Sequence, residues 1–185
     1  SQMAAETLHM DISRVHIVTQ QDTDVTPFDT GAYASRQSFV TGTAVKECAQ
    51  QLKQKILEYA RTLVPGNVDR LEDGYILADG KPAISLEDLA MESYYSLSNS
   101  SVLTAEVSRQ VKKNTVASGC CFAEVEVDMK LGKIKVLDIV NVHDSGTLLN
   151  PQLAAMQVHG GMFMGIGYGV SEQLLIDEKT GRPLN

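Results

Sequence analysis

Sixteen residues, Asp22 to Gln37, carry neither a strand period nor a helix period. They hold one Pro, one Gly, three Asp and a run of small side chains. Before them, Arg14–Thr19 alternates with period two and reads as a strand. After them comes a long amphipathic stretch. Connections of this length inside a domain are uncommon and are functional or disordered. Val25, Phe28 and Tyr33 make a disordered linker a poor description. The run Gly31 to Gln37 can lay successive backbone N–H groups against an anion, as oriented amides do in nests, and Ser35, Arg36 and Gln37 add donors. The alternative is an ordered surface loop that caps the next helix.

The rest of the chain is patterned. Val45, Cys48, Ala49, Leu52, Ile56, Tyr59, Ala60 and Leu63 fall at helix spacing, which predicts a helix from about Thr43 to Leu63, stopped by Pro65-Gly66. Val68–Leu71 and Tyr75–Ala78 flank Glu72-Asp73-Gly74, a hairpin signal. A second turn follows at Ala78–Lys81. Ser85 then caps a short helix with acids in its first turn. Residues 96–114 are Ser-rich and weakly patterned, and read as a variable connection. Ser118–Asp128 and Ile134–Val142 form a strand pair around a turn at Lys130–Lys133. A phase shift at Val136-Leu137 predicts a bulge. Asn150-Pro151 starts a helix to about Tyr168. This helix holds Gly160, Gly161, Gly165 and Gly167, each costing about 1 kcal/mol against Ala. It makes sense if something large approaches its backbone. Glu172–Ile176 reads as a last strand. The expected class is α+β, with antiparallel strand pairs and packed helices.

Several chemistries are excluded. The chain has 185 residues, 43% hydrophobic and 21% charged, with a formal net charge of −7. That length suits one domain or a large piece of one. No basic cluster exceeds Lys112-Lys113, which argues against nucleic acid. No apolar run suffices to span a membrane, and no signal-peptide pattern opens the chain. Three cysteines, Cys48, Cys120 and Cys121, form no disulfide framework, as expected of a reducing, cytoplasmic setting. Gly165-x-Gly167-x-Gly169 has the wrong spacing for a dinucleotide fingerprint, and there is no nucleophile elbow. His9, His16, His143 and His159 are too dispersed for a zinc site. Cys48 and Cys121 read as packing residues. Asp22, Asp24 and Asp29 suit loop-fixing better than acid–base pairing. Asp144 reads as an Asx-type turn that positions Asn150-Pro151, and Glu172 as structural. The chain opens on Ser1 and stops on Pro183-Leu184-Asn185, and the expectation is a piece of a larger domain.

Three blocks carry a resemblance. Thr23-Asp24-x-x-Pro27-x-Asp29-x-Gly31-Ala32-x-Ala34-Ser35-Arg36 is the first. Val142-His143-Asp144-Ser145-Gly146-x-x-x-Asn150-Pro151 is the second. The third is Gln157-Val158-His159-Gly160-Gly161-Met162-x-Met164-Gly165-Ile166-Gly167, followed by Glu172. In content, order and spacing they resemble the molybdenum-binding subunit of xanthine dehydrogenases and related molybdenum hydroxylases, bacterial subunits above all. The resemblance covers essentially the whole chain and is poorest over 96–114.

The resemblance implies part of a two-part molybdopterin-binding domain, in which the cofactor lies between two halves and holds the molybdenum through its own sulfurs. By similarity, Gly31, Ala32, Tyr33, Ala34, Ser35, Arg36 and Gln37 line the cofactor. Ala34 is the small residue beside the metal, and Ser35, Arg36 and Gln37 bind phosphate or pterin. Gln157 pairs with the pterin edge, and Gly160-Gly161 lets that helix come close. The implied reaction is hydroxylation of a purine or similar heteroaromatic. The implied partners are the rest of the molybdenum subunit and iron–sulfur and FAD subunits or domains. No residue of this chain takes a catalytic or metal-ligating role: the family's base glutamate and its upstream glutamine motif fall outside it, so the isolated piece is expected to be inactive. The other readings are a non-catalytic scaffold of the same fold and a related aldehyde or nicotinate hydroxylase.

Overall fold

The computed structural model describes residues 1–185 except Gln20, Gln21, Val25, Pro27, Ser98, Asn99 and Asn114. Its contacts divide the chain into two compact units, Ser1–Asn114 and Thr115–Asn185. Antiparallel strand pairs with packed helices, the expected α+β class, make up both.

In the first unit, α1 (Gln2–Leu8) packs on α2 (Gln37–Leu63). The sequence pattern places the start of α2 at Thr43, six residues late. Ser38, Thr41, Gly42 and Thr43 are weak helix formers, but the first turns gain support from elsewhere. Gly42 is buried against Met3 of α1, and Thr43 bonds back to the Phe39 carbonyl. Val64 turns extended before Pro65 and ends the helix.

A three-stranded antiparallel sheet follows: β1 (Val68–Glu72), β2 (Tyr75–Ala78) and β3 (Lys81–Ser85), in that order. The hairpin around Asp73-Gly74 is as expected. The third strand is not legible in the sequence because Pro82 and the short turn at Asp79-Gly80 disguise it. An edge strand tolerates proline. Ser85 then caps α3 (Leu86–Tyr95), accepting from the Asp88 amide at 3.0 Å. Ile56, Tyr59, Ala60, Val68, Leu71, Ile76 and Leu89 form the core where α2, the sheet and α3 meet. Burying each large aliphatic side chain there contributes about 1.5–3 kcal/mol.

Burial raises the Tyr59 phenol above its usual value, and the charge of Glu92 adds to the shift. Lys53, which donates to the Thr7 carbonyl at 3.2 Å, is lowered by burial.

The Arg14–Thr19 strand expectation fails. Ile12–Arg14 is a 3-10 turn capped by the Asp11 carboxylate, and residues 15–19 join no ladder. Val15 is extended, so the alternation is that of an extended segment without a strand partner. Residues 96–114 hold no helix or strand among those described.

The second unit is a long hairpin, β4 (Ser118–Asp128) with β5 (Lys133–Asp144), and a helix, α4 (Pro151–Val170). Glu124 pairs with Asp138 and Val125 with Val136, which leaves Leu137 as the bulge. Asn150 caps α4 through its side chain to the Leu153 amide, and Pro151 follows at the first turn. The strand expected at Glu172–Ile176 is reduced to a single bridge, Ile176 to Pro183. Asp177 folds the following turn instead, accepting from Lys179 and Thr180, and so ends the extended run.

Candidate functional site

The seven loop residues from Gly31 to Gln37 are contiguous in the first unit, at the head of α2. Gly31 has φ +96°, and its amide donates to the Asp29 carboxylate at 3.0 Å. Asp22 accepts likewise from the Asp24 amide at 2.9 Å. Asp22 and Asp29 therefore fix the loop locally, as expected of them, while Val25 and Pro27 of the first sequence block lie outside the described residues.

Ala34 and Ser35 both adopt φ +51°. Two consecutive non-glycine residues in the left-handed region are costly, and such strain persists where surrounding structure imposes it, often at binding sites. Arg36 returns to the helical region as the N-cap of α2, and its side chain makes no capping bond. Its guanidinium lies 4.2 Å from the Tyr33 ring centre and reaches the Thr30 hydroxyl at 3.4 Å. The amides at the start of a helix have no intrahelical acceptors. The Phe39 amide already donates to the Arg36 carbonyl at 3.1 Å, so the head of α2 offers an anion the amides of Gln37 and Ser38, the positive end of the helix dipole and an adjacent guanidinium. Gly31 through Ser35 are exposed, and Arg36 and Gln37 half-buried.

Gln157 lies in the second unit, on α4. Ala154, Val158, Met162 and Ile166 are half-buried at intervals of four residues, on a helix that contacts β5. Gln157, Gly161 and Gly165 form the neighbouring ridge and are exposed. A Cβ built on Gly160, Gly161 or Gly165 would meet nothing within 4 Å. These glycines are therefore not required by packing inside the unit. They leave the α4 backbone open at these positions. Gly167 differs, since its missing side chain makes room for Glu172. Glu172 is structural in that sense. Asp144 makes the expected Asx-type turn, accepting from Gly146 at 3.0 Å.

Among the described residues, no cluster of His, Cys, Asp or Glu could hold a metal ion, and no helix is long and apolar enough to cross a membrane. Sequence reasoning missed the left-handed pair at Ala34-Ser35. Neither residue type signals φ > 0, so only the flanking Gly31 hinted at it.

The whole chain, residues 1–185, matches the molybdopterin cofactor-binding domain family. It is 44% identical to the xanthine dehydrogenase molybdenum-binding subunit of Escherichia coli O157:H7, over 98% of this chain and 25% of that protein. Against the nicotine 6-hydroxylase large subunit of Paenarthrobacter nicotinovorans, identity is 26% over 96% of this chain and 23% of that one. The fold matches the crystal structure of quinoline 2-oxidoreductase from Pseudomonas putida 86, with a TM-score of 0.79 at 23% identity, covering 99% of this chain and 24% of that one. The chain thus spans about a quarter of the length of these relatives. The family match runs the full length of the chain, through both the α2 loop and the glycine-bearing helix: the chain belongs to the molybdopterin cofactor-binding domain family.

Proposed function

We propose that this chain is the part of a xanthine dehydrogenase-like molybdenum-binding subunit that cradles molybdopterin, and that the whole enzyme hydroxylates a purine or similar heteroaromatic. The observation that carries this reading is the left-handed pair Ala34-Ser35 immediately before an uncapped 27-residue helix. Backbone of that shape presents amides outward, and the adjacent Arg36 supplies the charge that a phosphate-bearing cofactor needs.

Bound molybdopterin supplies the redox metal for hydroxylation with water as the oxygen source. This chain's own residues bind and orient. Ser35, Arg36, Gln37 and the head of α2 hold the phosphate end. Ala34, Ala32 and Gly31 keep side-chain bulk away from the reacting centre. Gln157 pairs with the pterin edge, since an unsatisfied buried polar group costs about 1–3 kcal/mol. Tyr33 supports the loop through the Arg36 guanidinium. The base that activates water lies outside these 185 residues, so the chain by itself is inactive. Electrons leave through iron–sulfur and FAD partners. The exposed Phe122, Phe163, Met164 and Tyr168 of the second unit belong against the rest of the same subunit. The setting is cytoplasmic.

Molybdenum and pterin content per subunit, measured beside the thermal midpoint, tests the reading. Gln157→Ala and Ala34→Leu should lower cofactor content several-fold, with Gln157→Ala leaving the midpoint near wild type. Full cofactor content in both variants would leave a cofactor-free scaffold as the better description. A panel of xanthine, aldehydes and nicotinate then sets the substrate class.

A further inference from the structure

The β4–β5 hairpin has two faces, and its register sorts the side chains between them. Cys121, Ala123 and Val125 stand opposite Asn141, Ile139 and Val136 on one face. Asn141, Ile139 and Val136 are the half-buried residues of β5, the strand that α4 contacts. Cys120, Phe122 and Glu124 stand opposite Val142, Val140 and Asp138 on the other, outer face. All six are exposed. This outer face is divided. Phe122, Val140 and Val142, each half or more exposed, surround Cys120 as an apolar patch at the open end of the hairpin. Toward the turn, Glu126 faces Lys135 and Asp128 faces Lys133, two matched pairs that suit water.

Between the two parts, Glu124 stands opposite Asp138. Like charges directly opposite each other are destabilising, and the ion pairs among the described residues involve neither carboxylate. A cation laid over the pair from outside would offset that repulsion. The cover also has a constraint of its own. No described residue of β4, β5 or α4 is buried, and a two-stranded hairpin is marginal without further packing. A face that the unit needs for its own fold calls for a cover that folds with it, as in an obligate interface. The chain spans about a quarter of the length of its relatives, so a subunit of that size holds ample further polypeptide to supply one.

We propose that the outer face of the hairpin, from the Cys120–Val142 pair to the Glu124–Asp138 pair, is a buried interface with another segment of the same molybdenum-binding subunit. That segment is apolar and carries a Lys or Arg against the two carboxylates. This deepens the subunit reading above and rests on it. The matched pairs nearer the turn stay in water.

Cys120, exposed in this chain, reports on that cover. The complete subunit, alone and in the assembled enzyme, is treated with a maleimide, and the labelled sites are read by peptide mass spectrometry. In both preparations Cys120 should react at least about tenfold slower than a cysteine placed on the charged strip by Lys133→Cys. Urea should bring the two rates together. Equal rates in the folded subunit overturn the proposal. So does protection that appears only in the assembled enzyme or only in a dimer, since another chain is then the cover. Glu124→Lys with Asp138→Lys keeps a like-charged pair and reverses its sign toward the partner. It should speed Cys120 labelling several-fold. Glu124→Gln with Asp138→Asn, which removes the charge at little change of size, should give a smaller rise. Labelling at or below the wild-type rate in these variants overturns the cationic partner. Ala34→Leu is the separate control: it should lose molybdenum and keep Cys120 protected. If that variant keeps its full molybdenum content, the cradle reading fails while the interface stands.

Discussion

Ala34 and Ser35 each hold a conformation that costs an L-residue on the order of 1–2 kcal/mol. Ala34→Gly should therefore stabilise the protein by up to about 1 kcal/mol, read from a denaturant midpoint. It should also loosen the pair and lower cofactor content. A stability gain with no loss of cofactor would show that the strain serves nothing. Asp177 offers a pH test. The amides of Thr180 and Lys179 hold its carboxyl below the ordinary value of 3.8. The carboxylate form is thus favoured by the fold, and the turn's stabilisation is complete above 3.8 and lost as pH falls through the folded value. The Lys179 and Thr180 amide shifts should titrate with a midpoint below 3.8, and one at or above it contradicts the assignment. At this scale Ser85, Asn150 and Asp144 are legible in the sequence, since each needs only a local partner. The φ of Ala34 and the contacts of Arg14 with the Asp73 carbonyl and the Glu87 carboxylate are not. The first has no residue-type signature, and the second joins positions 59 and 73 residues apart.

The glycines of α4 set a contrast between stability and occupancy. Gly161→Ala has open space for its methyl and should raise helix stability by about 1 kcal/mol. The same methyl stands on the ridge beside Gln157, so cofactor content should drop while the thermal midpoint rises. Movement of both in one direction would place the helix away from the cofactor. In the first unit, Leu71 and Leu89 are 1% and 0% exposed, and either one replaced by Ala should cost about 2–5 kcal/mol. Helices and hairpins with strong periods are read from sequence correctly here. Failures fall where a period exists without a partner: Arg14–Thr19 and Glu172–Ile176 alternate but meet no neighbouring strand. β3 shows the reverse case, a partner without a pattern.

Across the whole chain, burial is uneven. Every buried residue among those described belongs to the first unit. β4, β5 and α4 contain none, although they carry many of the large apolar side chains. A two-stranded hairpin is marginal without a covered face. Residues 1–114 made alone should unfold cooperatively on heating. Residues 115–185 made alone should show no sharp transition and should bind an apolar dye. A cooperative melt of the second piece would contradict this. Burial of this kind is not legible in the sequence, because composition reports how many apolar residues exist and not what covers them.

The bulge at Leu137 decides how the hairpin tolerates lost codons. Skipping Leu137 brings Val136 and Ile139 onto the face they share with Val125 and Ala123. Deleting that one residue would leave Val136 beside Asp138 and the ladder regular, with every side chain on its present face. Deleting Val140 instead would invert one arm of the strand, exchanging Ile139 for Asp138 on the apolar side. In a single-codon deletion scan of β5, position 137 should stand out as the survivor, a hairpin made straighter but not turned inside out.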